Sequence, residues 1–211
     1  MMKKLIGIVF ASMLAIFSIA PANAALIVTI SDGSTTVSET DIDGDGLLEM
    51  MKSFEGWKVV SYAMQNPYIG TDLIDNLALN AFAVSGREGS LSIMMTVTDL
   101  QRSSYVASYG GTLAGTGTMG IFMDGSNAEN GLSNELLYGE FGSGAFSKQA
   151  SGSISDDDMY SMTFVAKINH TSVGQQSGFS FDVKIPEPAQ LALMAVGLLM
   201  MGFAGYKRRS H

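Results

Sequence analysis

Two uncharged apolar segments sit at the ends of this 211-residue chain, and the stretch between them is what must fold in water. The first lies in MMKKLIGIVFASMLAIFSIAPANA. Lys3 and Lys4 make a positive start, Leu5 to Ala20 an apolar run, and Ala22-Asn23-Ala24 a small-residue site behind the helix-breaking Pro21. That is the pattern of a secretory signal peptide cut after an A-x-A site. Residues 1–24 are therefore expected to be removed at Ala22 and Ala24, with Ala25 as the mature start outside the cytoplasm. The second segment runs from Ala189 to Tyr206 without a charge and meets Lys207, Arg208 and Arg209. Its length is at the short end of what spans a bilayer as a helix. Basic residues hold to the cytoplasmic side. The run has no polar face, which argues against a buried core helix. A single transmembrane helix is expected there, with the body across the inner membrane.

Just before that helix stands Pro186-Glu187-Pro188. The order of tripeptide, uncharged helix and basic end, over residues 186–211, resembles the PEP-CTERM sorting signal of Gram-negative bacteria. Ala189-Gln190 stands where Ser-Thr is frequent in that family. The resemblance implies an exosortase as processing partner, a membrane enzyme that recognises the signal and removes it. It also implies a transient single-pass intermediate, then a cell-surface or extracellular location associated with exopolysaccharide and biofilm. The tail's physics agrees. Two prolines lock φ and neither continue a strand nor enter a helix interior. They hold an extended segment outside the membrane, with Glu187 as its one charge.

Residues 25–185 remain as the exported domain, about 160 residues, enough for one domain with a real core. Seven of the twelve Lys and Arg fall there, against all 20 Asp and Glu up to Glu187, so the exported part through Pro188 carries about −13. Such a surface repels nucleic acid and anionic lipid. There is no cysteine, which excludes thiol catalysis, thiolate zinc and iron–sulfur clusters. His170 is the one histidine of the body, so a three-histidine zinc site is excluded.

The body reads as strands. ALIVTIS, WKVVSYAM, LALNAFAVS and SLSIMMTVTDL are apolar and β-prone. In SGFSFDVKI, Phe179, Phe181, Val183 and Ile185 share one face, and Ser180, Asp182 and Lys184 the other. MYSMTFVAKINHT alternates similarly, and TLAGTGTMGIFMDG is small and β-prone. Turn residues recur at Asp32-Gly33, Asp45-Gly46, Asn66-Pro67, Gly110-Gly111, Asp124-Gly125 and Gly174. DLIDNLALNAF and GDGLLEMMKSF have some helical spacing, but close Gly and Ser flanks favour strands. Short strands between Gly and Asp turns predict an all-β fold, a β-sandwich or jelly roll. It would be flanked by the signal helix and the transmembrane helix. The hairpin before the tripeptide also looks like bodies that carry this sorting signal, which implies a β-rich exported domain and no activity.

Of the candidate sites, DIDGDGLLE is the most chemical. Asp41, Asp43 and Asp45 with Gly46 match the first half of an EF-hand loop, and Glu49 falls at its ninth position. Lys52 occupies the twelfth, where a bidentate Glu is needed, so the loop is not a standard EF-hand. A simpler Ca²⁺ loop and a solvated acidic turn both remain open. Asp156 to Asp158 form a carboxylate run, and neighbours in one loop point into water rather than across a cleft. His170 reads as a surface or turn residue. Trp57, Tyr62 and Tyr68 suggest a sugar-stacking platform, or else core. The glycine-rich SYGGTLAGTGTMG lacks the G-K-[ST] ending of a phosphate loop, and its small residues alternating with Thr suit a strand packed closely against another.

The reading is a non-enzymatic exported protein of the surface or extracellular matrix, without a resident cofactor. The alternative is a carbohydrate- or calcium-binding adhesion module. Intact mass of the exported protein, in hosts with and without the sorting enzyme, checks the tail. A product from Ala25 to near Pro186-Glu187-Pro188 is expected only where the enzyme is present. Retention of the tail through His211 in both hosts would leave a plain anchored protein.

Overall fold

The structure, a computed structural model, describes residues 25–54, 56–67, 74–100, 104–154 and 159–185. Ala22, Ala24, Tyr68, Asp156 to Asp158, Pro186-Glu187-Pro188, Ala189 to Tyr206 and the basic end Lys207, Arg208 and Arg209 lie outside them. No helix among the described residues is long and apolar enough to cross a membrane.

The described body is all strand. In chain order the strands are β1 (Leu26–Ser31), β2 (Thr36–Thr40), β3 (Leu47–Phe54), β4 (Trp57–Pro67), β5 (Ile74–Ser85) and β6 (Gly89–Leu100). Then follow β7 (Ser104–Leu113), β8 (Thr116–Asp124), β9 (Asn134–Phe141), β10 (Gly144–Ser153), β11 (Tyr160–His170) and β12 (Gln176–Lys184). They form two six-stranded sheets, ordered β2-β1-β6-β11-β8-β9 and β10-β7-β12-β5-β4-β3, and every pairing is antiparallel. Strands β5 to β12 alone make the groups β6-β11-β8-β9 and β5-β12-β7-β10, the double Greek key of a jelly roll. The β1–β2 hairpin extends one sheet beside β6, and β3–β4 extends the other beside β5.

Alternation explains the layering. On β12, Phe179, Phe181 and Val183 are buried and Ser180 and Lys184 are exposed, as their spacing predicts. Leu91, Ile93, Met95 and Val97 on β6 face the same core, as do Met162, Phe164, Ala166 and Ile168 on β11. Phe164 and Phe181, from opposite sheets, stack with centroids 5.5 Å apart and planes within 13°. At one open side, Lys52 of β3 pairs with Glu39 of β2 and ties the two sheet edges together.

Three expectations change. Gly110-Gly111 is no turn: both residues lie inside β7, paired to β10 on one side and β12 on the other. A Cβ on Gly111 would meet Gly178 O at 2.2 Å, so glycine serves close strand approach there. Asn66-Pro67 likewise ends β4, at a register shift against β5. His170 is not at the surface. It is 1% exposed, at the end of β11, where its ring lies 4.8 Å from that of Trp57, itself only 2% exposed. The Trp57 face of β4 turns inward across the gap between sheets, and the imidazole fills it. His170 Nε2 is 2.7 Å from Ser177 Oγ, which also accepts the Ala114 N–H at 3.1 Å.

Burial holds the His170 imidazole below its ordinary value of 6.5. The unfolded chain takes up that proton below pH about 6.5 while the folded chain resists, so stability falls with acid through this window. His170→Gln is expected to flatten the slope of unfolding free energy against pH between about 6.5 and 5. Urea melts at stepped pH measure it; an unchanged slope would mean the imidazole titrates freely in the fold.

Candidate functional site

The acidic run forms the corner between β2 and β3, where the chain passes from one sheet to the other. Asp41, Asp43 and Asp45 each bring a carboxylate oxygen within 4.8 Å of the others. Asp41 Oδ1 accepts the Gly44 N–H and Oδ2 the Gly46 N–H, both at 2.9 Å. Asp45 Oδ1 accepts the Leu47 N–H at 2.8 Å. Gly46 has φ +78°, and a Cβ there would meet Gln65 O at 2.2 Å, so the corner requires glycine. The turn by itself accounts for Asp41 and Asp45. Glu49 stands apart from the cluster, on β3 opposite Tyr62, whose phenol donates to its carboxylate. That correction follows from pleat: Glu49 points to the outer face of its sheet, away from the corner.

Within the cluster the two leading carboxyls differ. Burial works to raise Asp41, but hydrogen bonds from Asp43 and from the Gly46 and Gly44 amides outweigh it and hold it low. Asp43 is pushed up, chiefly by sharing its hydrogen bond with Asp41.

The aromatic residues of this region divide between the core and the surface. Trp57 is core, and Tyr62 is 51% exposed on the outer face of its sheet. Phe82, which the sequence reading passed over, is 44% exposed beside it on β5. Tyr62 pairs with Asn80 and Val60 with Phe82, so the two rings are diagonal neighbours on one face. Leu47 and Met51, 57% and 67% exposed, flank them on the edge strand β3. The Phe82 ring lies against Gly178 of β12, where a Cβ would meet its Cδ2 at 3.4 Å.

This apolar end passes into a polar strip. Pairing places Glu49, Tyr62, Asn80, Ser180, Gly110 and Ser147 in one row across all six strands of the sheet. Ser108, Ser180, Asp182 and Gln149 line a shallow depression of about 510 Å³ at its far end. Rings with polar neighbours in one row suit a ligand that is apolar on one side and hydroxylated around its rim.

The other sheet has a different outer face. Residues 125–133, between β8 and β9, fold over half of it: Thr96 Oγ1 donates to Asn130 Oδ1, and Ser161 Oγ to Ala128 O. Asp99 and Asn127, both at positive φ, exchange two hydrogen bonds that pin the loop. Asp124 organises its base, accepting from Ser126 and Ser133, and these bonds hold its carboxyl below the usual range. The uncovered half is a trough of about 720 Å³.

No family model matches the chain, and no curated protein matches it either. Among solved structures it is similar to a beta-glucosidase from Kluyveromyces marxianus in complex with glucose, at 10% identity and TM-score 0.37; the match covers 82% of this chain and 17% of that one. It is also similar to the K1 cleaved adhesin domain of Lys-gingipain from Porphyromonas gingivalis W83, at 13% identity and TM-score 0.30, over 79% and 93% of the two chains. A third is TmCBM61 in complex with beta-1,4-galactotriose, at 12% identity and TM-score 0.34, over 63% and 90%. At such scores the likeness carries no argument; fold and site rest on strand order and on the faces themselves.

The acidic corner makes a prediction of opposite signs. Asp43→Asn removes a carboxyl whose ionised form is disfavoured in the fold, so the melting temperature at pH 7 is expected to rise. Asp41→Asn removes an ionised acceptor of two amides, so it is expected to fall. The gain from Asp43→Asn should vanish below pH about 4, where the carboxyl is protonated anyway. Equal effects from both variants would remove this assignment.

Proposed function

We propose that the body is a non-catalytic glycan-binding module, exported and sorted through its C-terminal signal. It works as an adhesive component of an extracellular polysaccharide matrix. The observation that carries this is the exposed pair Tyr62 and Phe82, set in one face with Asn80, Ser180 and Asp182. Large rings left open to water on a sheet face call for a partner. A sugar ring is the partner with matching chemistry. Its C–H face stacks on the aromatics, and its hydroxyls meet the amide, hydroxyl and carboxylate beside them. Glu49 accepts from the Tyr62 phenol and fixes the platform's outer edge.

The absence of catalysis in this proposal rests on the acids. A glycoside hydrolase sets two carboxyls across the bond it cuts. The polar depression at the far end of the platform's row is lined by one acid, Asp182, and the trough by one, Glu140. In the matrix reading, the PEP-CTERM-like tail delivers the module to the surface, and the platform attaches it to polysaccharide once there.

Tyr62→Ala and Phe82→Ala are each expected to weaken glycan binding by roughly two- to tenfold, about 0.5–1.5 kcal/mol per ring. Their urea melts should stay within about 0.5 kcal/mol of the parent, since both rings are exposed. Affinity electrophoresis through gels cast with neutral polysaccharides measures the first effect. Mobility unchanged by either substitution in every retarding gel would remove the platform.

A further inference from the structure

The trough on the opposite sheet differs in kind from the platform. It runs across β1, β6, β11, β8 and β9, from the turn at Gly33 to the turn at Gly142. Four strand spacings make its length about 19 Å. Pairing aligns its floor in one row: Ser31, Ser92, Lys167, Thr118 and Glu140. A second row beside it holds Asn169, whose Oδ1 accepts from Ser90 Oγ at 3.1 Å. The Asn169 amide nitrogen is left as a donor.

The centre of that floor is a cation. Lys167 is exposed on β11 and makes no ion pair among the described residues. Lys52 is engaged with Glu39, Arg87 with Asp32, and Lys148 with the Tyr138 carbonyl, while the exposed Lys58 and Lys184 stand on β4 and β12 of the other sheet. Glu140, two strands away at about 10 Å, is too far to neutralise Lys167 and accepts instead from the Tyr138 phenol. An unpaired ammonium in the middle of a trough lined by Ser31, Ser92 and Thr118 is a local attraction for a ligand with its own negative charge, and it acts against the general repulsion of an exported part that carries about −13.

We propose that this trough is a second glycan site and that it takes a carboxylated polysaccharide, with a uronate carboxylate on Lys167. The hydroxyls of Ser31, Ser92 and Thr118 and the Asn169 amide bind the sugar hydroxyls on either side. The trough lies across the strands of a paired sheet, so the backbone amides beneath are already bonded to one another and recognition falls to side chains. That arrangement disfavours an extended peptide, which docks along a free edge. A single cation also falls short of the several phosphate contacts that a nucleic acid requires. The two sites lie on the outer faces of opposite sheets. One domain therefore holds two polysaccharide strands, one on each side, and ties them together.

The test uses the full-length chain in affinity gels cast with polygalacturonate, alginate or hyaluronate, each beside its carboxyl-reduced form. Expected is retardation by at least one acidic polymer, stronger than by its reduced form, by about two- to fivefold in Kd, and weakening as salt is raised. Lys167→Gln should abolish that preference and Lys167→Arg preserve it. The Tyr62→Ala and Phe82→Ala variants should retain it, which separates this site from the platform. No preference for any acidic polymer, or a preference unchanged in Lys167→Gln, overturns the proposal. Loss of the preference in the Tyr62 and Phe82 variants would also overturn it, by moving acidic binding to the other face.

Discussion

Phe164 and Phe181 lie ring against ring at the centre of the molecule, one on β11 and one on β12. These strands are consecutive in the chain and central in opposite sheets. Their contact sets which face of each sheet is inside, because side chains alternate at period two along a strand. With Phe181 inward, Ser180 and Asp182 must face out. With Phe164 inward, Val165, Lys167 and Asn169 must face out. Pairing carries this choice sideways, so Tyr62 and Phe82 emerge on one outer face and Ser31, Ser92 and Thr118 on the other. A one-residue slip in β11 would bury Lys167, a slip in β12 would bury Asp182 and Lys184, and either would expose the core.

The two outer faces then diverge for local reasons. Among the described residues nothing lies over the outer surface of one sheet at β3 to β5, and the Tyr62 and Phe82 rings stay open there. The other is half covered by residues 125–133, held by Asp99, Asn127 and Asn130 at positive φ. Such conformations cost free energy in residues other than glycine. Here they return hydrogen bonds to Asp99 and Thr96, and the trough lies on the part of the face that the loop leaves uncovered.

What the sequence showed most clearly were the interior strands. SLSIMMTVTDL, MYSMTFVAKINHT and SGFSFDVKI pack on both sides in their sheets, and their alternation or apolar density reveals them. The strands passed over, β2, β9 and β10, are sheet edges with much exposed surface. TVSET and GAFSKQASGS have little to bury, so nothing in their composition distinguishes them from loop. Gly110-Gly111 misled for a related reason. Glycine marks turns and close strand approach alike, and only the partner strands tell the two apart.

The chain's own residues determined the class of fold, the absence of cysteine chemistry, the acidic surface and the face of β12 that turns inward. These follow from composition and period, which are local. Tertiary structure decided where single side chains went. It put Trp57 and His170 together in the core, moved Glu49 from the acidic corner to Tyr62, joined Phe82 to that ring and left Lys167 alone in a trough. Each of these depends on which strands lie side by side, and residues such as Tyr62 and Phe82, or Ser31 and Lys167, are brought together by pairings between distant segments that no local pattern encodes.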